Sequence, residues 1–263
     1  MSTSIAELRT AIDTLDQQLL QLLNQRATLA NAIGDIKRQE GSQVYRPERE
    51  AQVIHKLQTA NQGPLKTDSI ANIWREVMSA CRALEEPHRV AYLGPEGTFS
   101  EQAAEAFFGV SIERVPCASF DEVFEATTSG RAAFGVVPME NSTEGVVTRS
   151  LDLFLTSPLH IIGEVSLLIR HNLLSQQRDL QKIQAVYAHP QALAQCQNWL
   201  NAHLPHAERH ATTSNAEGAR LATENPNCAA IASLRAGSRF GLPVVAPSIQ
   251  DEAYNRTRFA IIC

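Results

Sequence analysis

From Ile5 to Ile36 apolar side chains recur three and four residues apart, at Ile5, Leu8, Ile12, Leu15, Leu19, Leu22, Leu29, Ile33 and Ile36. Only a helix gathers such positions on one face. Ser4 and Glu7 precede the run with the spacing of a capping box, and Gln39-Glu40-Gly41-Ser42 ends it. A helix from Ser4 to Arg38 is roughly 50 Å long at about 1.5 Å per residue. Two shorter helices follow. One opens at Pro47 and stops at Asn61-Gln62-Gly63-Pro64; the other runs from about Asp68 to Glu85, is expected to bury Ile70, Ile73, Trp74, Val77, Cys81 and Leu84, and is halted by Pro87. They are too short to cover the whole first stripe, so the sequence predicts that a second copy of the chain covers the rest in a homodimer.

The texture changes at Glu85-Glu86-Pro87-His88. Residues 1–87 contain three glycines (Gly34, Gly41, Gly63), whereas later residues alternate short β-rich runs with helical ones, punctuated by Gly and Pro. Two domains are expected, an all-α domain over 1–87 and an α/β domain over 88–263. Lys and Arg number ten against eleven Asp and Glu before the change and thirteen against seventeen after it, a net charge of −1 and then −4. Neither part has the basic excess that a nucleic-acid partner requires. No run of about 18 apolar residues predicts a membrane span, and the start lacks a signal peptide's pattern. Five scattered cysteines without a CxxC argue against a disulfide framework or a zinc site, which fits a reducing cytoplasm.

The apolar run has one gap. Where the spacing calls for an apolar residue between Leu22 and Leu29 stands Arg26. A guanidinium there pairs either with a carboxylate of another helix or with an anion brought by a ligand. Lys37 lies about three turns further along the same face, and Arg9 is a quarter turn off it, placed to serve a site on the partner chain. Arg46, Arg49 and Glu50 open the second helix, and Cys81 and Glu85 stand one turn apart on the third. Several cations and one carboxylate facing a helical interior suit a small dianion.

The segments LRTAIDTLDQQLLQLLNQR, IK, VYRPERE and WREVMSACRALE resemble the helical class of chorismate mutases over nearly all of residues 5–86. The resemblance implies an intertwined dimer that holds chorismate among Arg9 of the partner chain, Arg26, Lys37, Arg46, Arg49, Glu50, Cys81 and Glu85. It implies a pericyclic rearrangement to prephenate with no metal and no covalent intermediate. Arginines clamp two carboxylates, Lys37 stabilises charge on the breaking ether oxygen, and Glu50 holds the ring hydroxyl. Some members carry Gln in place of Glu85 and Ser in place of Cys81. A carboxyl donates a hydrogen bond only when protonated, so Glu85 fits that role if burial raises its pKa.

From Arg89 the reading is strand VAYLG, helix from Ser100, strand IERVP, helix from Ser119, strand AFGVVP, helix from about Thr148 and strand HIIGEVSLLI. A second group follows: IQAVYA, a helix through Trp199, ERHAT, a helix through Leu221, CAAIAS, a short helix to Phe240, and a last strand NRTRFAIIC that returns to the first group. Two α/β lobes around a cleft result, the layout of periplasmic binding proteins. Polar loops follow the strand ends: Gly94 to Ser100, where Ser100 reads as an N-cap; Pro138 to Gly145, rich in hydroxyls, amide and carboxylates; and Thr212 to Asn215 before a helix. Asn255-Arg256-Thr257-Arg258-Phe259 sets a hydroxyl between two guanidiniums. His189 and Cys196 have no spacing that would make them a nucleophile pair, and the other histidines form no metal-ligand pattern.

GPEGTFSEQAA, VVPMENSTEGVV, VYAHPQALAQC and TRF resemble the prephenate dehydratases across residues 90–263. Together with the mutase pattern ahead of it, the chain resembles the bifunctional chorismate mutase/prephenate dehydratases of phenylalanine biosynthesis. By that resemblance Thr257 assists departure of the ring hydroxyl as CO2 is lost, Glu140, Asn141, Ser142, Thr143, Gln195, Thr213 and Ser214 line the cleft, and Arg258 supports the charge. No cofactor is implied. Ala188 stands where some relatives have Ser. The family's phenylalanine-binding regulatory domain usually follows TRF, whereas this sequence stops at Cys263, so strong feedback inhibition is not expected. Two rivals remain on residues alone, a dehydratase whose helical part only dimerises and a non-enzymatic sensor of aromatic metabolites.

Overall fold

The structure, a computed structural model, describes residues 4–40, 47–85 and 87–263. The chain divides into two compact units, one holding the helical N-terminal part through His88 together with Phe108–Glu113, the other Arg89–Phe107 with Arg114–Cys263. In the first, α1 spans Ile5–Gln39, α2 Pro47–Ala60 and α3 Thr67–Glu85. The capping box forms as expected: Glu7 N–H donates to Ser4 Oγ at 3.2 Å and Ser4 N–H to the Glu7 carboxylate at 2.8 Å. Within one chain only Gly34 of α1 is buried, and every residue of the apolar stripe is at least half exposed, from Leu8 at 52% to Ile5 at 71%. On α3, Ile70 and Cys81 are buried and Trp74 and Val77 partly so, but Ile73 and Leu84 are exposed at 44% and 64%. The expectation for those two is corrected: α3 packs on α1 and α2, and among the described residues of one chain the face they occupy stays largely open.

The second unit opens with β1 (Arg89–Leu93), α4 (Phe99–Phe108), β2 (Glu113–Cys117), α5 (Phe120–Thr128), β3 (Phe134–Asn141), the short β4 (Gly145–Val146), α6 (Thr148–Thr156) and β5 (Ile161–Leu168). Its second half comprises β6 (Asn172–Ser175), β7 (Ala185–Ala188), α7 (Pro190–Gln195), α8 (Gln197–His203), β8 (Glu208–Ala211), α9 (Asn215–Ala222), β9 (Cys228–Ala232), α10 (Leu234–Phe240), β10 (Val244–Ala246) and β11 (Arg256–Ile262). One sheet has the order β2-β1-β3-β11-β5 with β4 on β3, the other β10-β6-β9-β7-β8. The last strand returns to the first sheet, lying antiparallel between β3 and β5. Two strand pairings escape a sequence reading. β6 follows β5 after three residues with no turn signal, so the two merge into one apolar run, and β10 is only three residues long. The helix through Trp199 is broken at Cys196 into α7 and α8.

The chain crosses between the sheets twice, once after β5 and once before β11, and the crossings bond to each other. Ile169 N–H donates to Asn255 C=O, and Ile249 N–H to His171 C=O, both at 2.8 Å. The lobes also meet through α4. Glu101 and Glu105, 1% and 8% exposed, pair with Arg114 of the first lobe and Arg235 of α10 in the second, which offsets the cost of burying the carboxylates. Glu101 also accepts the Gly97 N–H at 2.6 Å, and Gly97 adopts φ +93°, open chiefly to glycine. This anchors the loop from Gly94 to Ser100 at the mouth between the sheets.

In the second lobe small residues let α9 lie close on the sheet: Ala219 and Ala222 share a buried cluster with Ala230 and Ala232 of β9. A Cβ at Gly218 would stand 2.8 Å from the Tyr187 carbonyl oxygen, a backbone atom that cannot swing away. Gly218→Ala is expected to destabilise the α/β unit by about 1–3 kcal/mol through overpacking, seen as a lower urea midpoint with an unchanged slope.

Candidate active sites

In the helical unit, α1 and α3 bring four of the expected residues together. Arg26 donates through Nη1 to Cys81 Sγ at 3.1 Å. One turn on, Glu85 sits against Gly34, where any Cβ would overlap its carboxyl. Its Oε2 is buried without a hydrogen-bond partner among the described residues. Burial pushes the Glu85 carboxyl above the usual range, Lys37 and Arg38 pull it back, and the net shift is upward. Lys37 therefore shares the field of Glu85. Glu50, expected to meet the ring hydroxyl, is ion-paired with Arg82 of α3, a residue the sequence reading missed although it stands one turn before Glu85. Arg49 is exposed at the start of α2. Arg9 lies about 25 Å before Arg26 along the helix axis, so one chain does not bring the two together. Arg46 is outside the described residues.

In the α/β unit a cleft of about 790 Å³ opens between the two sheets. Asn141 at the end of β3, Thr257 on β11, His171 and Asn255 from the two crossings, Gln195 at the end of α7 and the Thr213-Ser214 start of α9 line it. The Asn141 side chain has only one workable orientation. Its Oδ1 accepts the backbone N–H groups of Thr143 and Glu144 at 3.0 and 3.2 Å. Nδ2 must then face the other way, where it donates to Thr257 Oγ1 at 2.7 Å and Asn255 Oδ1 at 2.8 Å. Thr257 Oγ1 thus accepts, and its own O–H is left to donate into the cleft.

Among the described residues neither Lys nor Arg, Asp nor Glu lines this cleft. An anion here meets neutral donors: hydroxyls, amides, and the N–H groups at the starts of α4 and α9. Ser214 caps α9 by accepting the Glu217 N–H at 3.0 Å, so its proton too is left to donate. Ser100 is not the cap of α4 as expected. Thr98 takes that part, accepting the Glu101 N–H at 3.4 Å. The Ser100 hydroxyl, 7% exposed, is left facing the cleft with no partner among the described residues.

Four expected wall residues stand outside the wall. Successive side chains on a strand point to opposite faces, so with Asn141 and Thr257 turned to the cleft, Glu140 and Arg258 are turned away. They pair with each other at 3.4 Å, and Arg258 also with Glu164 at 3.4 Å. Ser142 pins its loop to the second crossing by accepting Arg256 N–H at 2.9 Å and donating to Tyr254 C=O at 3.3 Å. Thr143 stands behind Asn141, donating to its Oδ1 at 2.6 Å. Burial raises the Cys196 thiol to about 12, which keeps it protonated and unreactive. His189 caps α7, its Nδ1 accepting Gln191 N–H at 3.3 Å. The reading missed His171, and it gave Asn255 no role although it noted the stretch from Asn255 to Phe259; the partners of both lie 24 to 114 positions away.

The family model described as chorismate mutase type II matches residues 8–86, and that described as prephenate dehydratase matches residues 90–263. The chain is 47% identical, over its whole length and 74% of the relative's, to the bifunctional chorismate mutase/prephenate dehydratase of Neisseria gonorrhoeae. This chain belongs to the bifunctional chorismate mutase/prephenate dehydratases. The enzyme of that description from Stutzerimonas stutzeri is 46% identical over 97% of this chain and 72% of its own. Among solved structures, the prephenate dehydratase from Arthrobacter aurescens in complex with L-Phe is 34% identical with a TM-score of 0.61, covering 66% of this chain, which spans 59% of that one. The two folds of the family, an all-α mutase part and a two-lobed α/β dehydratase part, are those described above.

For a member of this family, the raised Glu85 carboxyl has a consequence for pH. Below its pKa the carboxyl is neutral and donates; as pH rises through that pKa the donor is lost, so mutase turnover is expected to fall toward alkaline pH. Glu85→Gln, which donates at every pH, should flatten the profile. Matching profiles for the two proteins would remove Glu85 from the mutase site.

Proposed function

We propose that the chain runs two consecutive reactions at two separate sites, chorismate to prephenate in the helical unit and prephenate to phenylpyruvate in the cleft, as a step of phenylalanine biosynthesis. The observation that carries the second assignment is the Asn141 amide directed onto Thr257 Oγ1. In that reaction the bond from ring to carboxylate breaks, its electron pair moves through the ring, and the hydroxyl at the opposite ring position departs. CO2, water and an aromatic ring result. Aromatisation drives the step, so the protein needs mainly a donor at the leaving oxygen and a hold on the carboxylates. Thr257 is the donor. Its hydroxyl is a weak acid, and the Asn141 Nδ2–H on its oxygen stabilises the charge that grows there as it donates. Thr213, Ser214 and Gln195 hold the substrate from the second lobe, and Ser100 adds a hydroxyl from the first.

In the helical unit the reaction is pericyclic, and positioning and charge do the work. Arg26 and Arg49 seat the carboxylates, Lys37 and protonated Glu85 meet the ether oxygen, and Glu50, anchored by Arg82, meets the ring hydroxyl. The exposed stripe of α1 favours a homodimer in which that face is covered and the partner's Arg9 completes the site. The functional boundary is placed between residues 87 and 88. Among the described residues no helix is long and apolar enough to cross a membrane. Membership of a family of biosynthetic enzymes supports assigning the chain to the cytoplasm.

The two sites are separable by mutation. Lys37→Ala should slow chorismate rearrangement by two to three orders of magnitude, about 3–4 kcal/mol, the scale of a lost oxyanion donor, while prephenate turnover persists. Thr257→Val, nearly isosteric, should abolish phenylpyruvate formation while chorismate is still consumed. Dehydratase activity surviving in Thr257→Val would take Thr257 out of the mechanism.

A further inference from the structure

Four side chains behind Thr257 form a closed ring in which each donates to the next. Asn141 Nδ2 donates to Asn255 Oδ1 at 2.8 Å, Asn255 Nδ2 to Gln195 Oε1 at 3.1 Å, Gln195 Nε2 to Thr143 Oγ1 at 3.1 Å, and Thr143 Oγ1 to Asn141 Oδ1 at 2.6 Å. The ring joins the first lobe, the second lobe and one crossing. Three of its members are carboxamides and one a hydroxyl, all able to donate or accept, so the ring alone could run in either sense. Only ties from outside choose one.

At the Asn141 corner that tie is the pair of backbone N–H groups of Thr143 and Glu144. At the opposite corner it is His171, whose Nε2 lies 2.9 Å from Gln195 Oε1. That oxygen already accepts from Asn255, so the histidine must bring an N–H. His171 is 3% exposed, packs edge-on to Phe99 with centroids 5.8 Å apart, and its Nδ1 is buried with no partner among the described residues. Burial pulls its pKa down, so the ring is neutral and carries its one proton on Nε2. An apolar ring would fill the same space without stranding a nitrogen. What the imidazole adds is the Nε2–H.

We propose that His171 is a positioning residue of the dehydratase: with the sense of the ring set at the Thr143-Glu144 turn, it fixes Gln195 Oε1 and, through Asn255, holds the Asn141 amide in place on Thr257. The proposal rests on Thr257 as the donor. His171 reaches the reacting atoms only through other side chains. The Glu144 carboxylate, 3.2 Å from Gln195 Nε2, favours the same sense, but it belongs to an exposed residue at the loop tip.

The test uses the full chain with prephenate as substrate. His171→Phe keeps the ring and its packing on Phe99 but removes the N–H; kcat should fall at least tenfold with KM within threefold and the melting temperature little changed. His171→Gln returns an N–H at similar reach and should recover kcat to within threefold of the parent. Because His171 acts through Gln195, the pair Gln195→Leu/His171→Phe should be no slower than Gln195→Leu alone. The proposal is overturned by parental kcat in His171→Phe, by equal losses in the Phe and Gln variants, or by losses that multiply in the pair. If His171→Phe does not fold, Asn255→Leu breaks the same ring next to Asn141 and must give the kcat loss instead; parental kcat in that variant also overturns it. Thr257→Val separates the two readings: if it is inactive while His171→Phe is fully active, only the role of His171 falls.

Discussion

Two backbone N–H groups at the Thr143-Glu144 turn decide which way the Asn141 amide points, and the chemistry of the cleft follows from that choice. The turn forms because Asn141 ends β3 and Gly145, at φ +81°, closes the loop back onto the strand as β4. With its oxygen held, the amide must offer its N–H groups toward β11, and the register of that strand sets Thr257 opposite Asn141. A hydroxyl that already accepts one hydrogen bond then has its proton left for the cleft, which is the basis of the donor role proposed for Thr257. Strand pairing, turn chemistry and proton donation are one chain of causes.

The two units meet a similar problem, a small dicarboxylate, with opposite electrostatics. The helical site sets Lys37, Arg38 and Arg82 in the field of a carboxyl that burial keeps from ionising freely, with Arg26 on Cys81 one turn away. Fixed cations suit a reaction whose transition state carries growing charge on the ether oxygen. Among the described residues no Lys, Arg, Asp or Glu lines the cleft. For a substrate that must lose its carboxylate, this is reasonable: a guanidinium clamped on that group would stabilise the ground state and oppose departure of neutral CO2. Neutral donors hold the carboxylate more weakly and let it go.

Much of this was legible from residues alone. The length and spacing of the first apolar stripe, its capping box, the change of texture near Pro87 and the return of the last strand all follow local rules, and the structure keeps them. Other features were not legible, each for a physical reason. The pleat of β3 and β11 turns Glu140 and Arg258 away from the cleft although they adjoin Asn141 and Thr257 in sequence. Thr98 rather than Ser100 caps α4 because the helix starts at Phe99, two residues earlier than a Ser100 cap implies. His171 and Asn255 sit in the crossings between lobes, where their meaning depends on contacts with residues far away in the chain. A sequence reading sees loops and periods; it does not see a ring closed across two lobes.

The central claim is that one chain carries two sites of opposite electrostatic character working in series. Its most direct test is a time course of chorismate consumption, prephenate and phenylpyruvate with the full chain, at substrate below saturation and at low and high ionic strength. The account predicts transient prephenate followed by phenylpyruvate, with high salt slowing loss of chorismate several-fold while changing conversion of added prephenate less than about twofold, because salt screens fixed charges far more than short hydrogen bonds in a cleft. Chorismate left intact, or prephenate conversion as salt-sensitive as the first step, would contradict it.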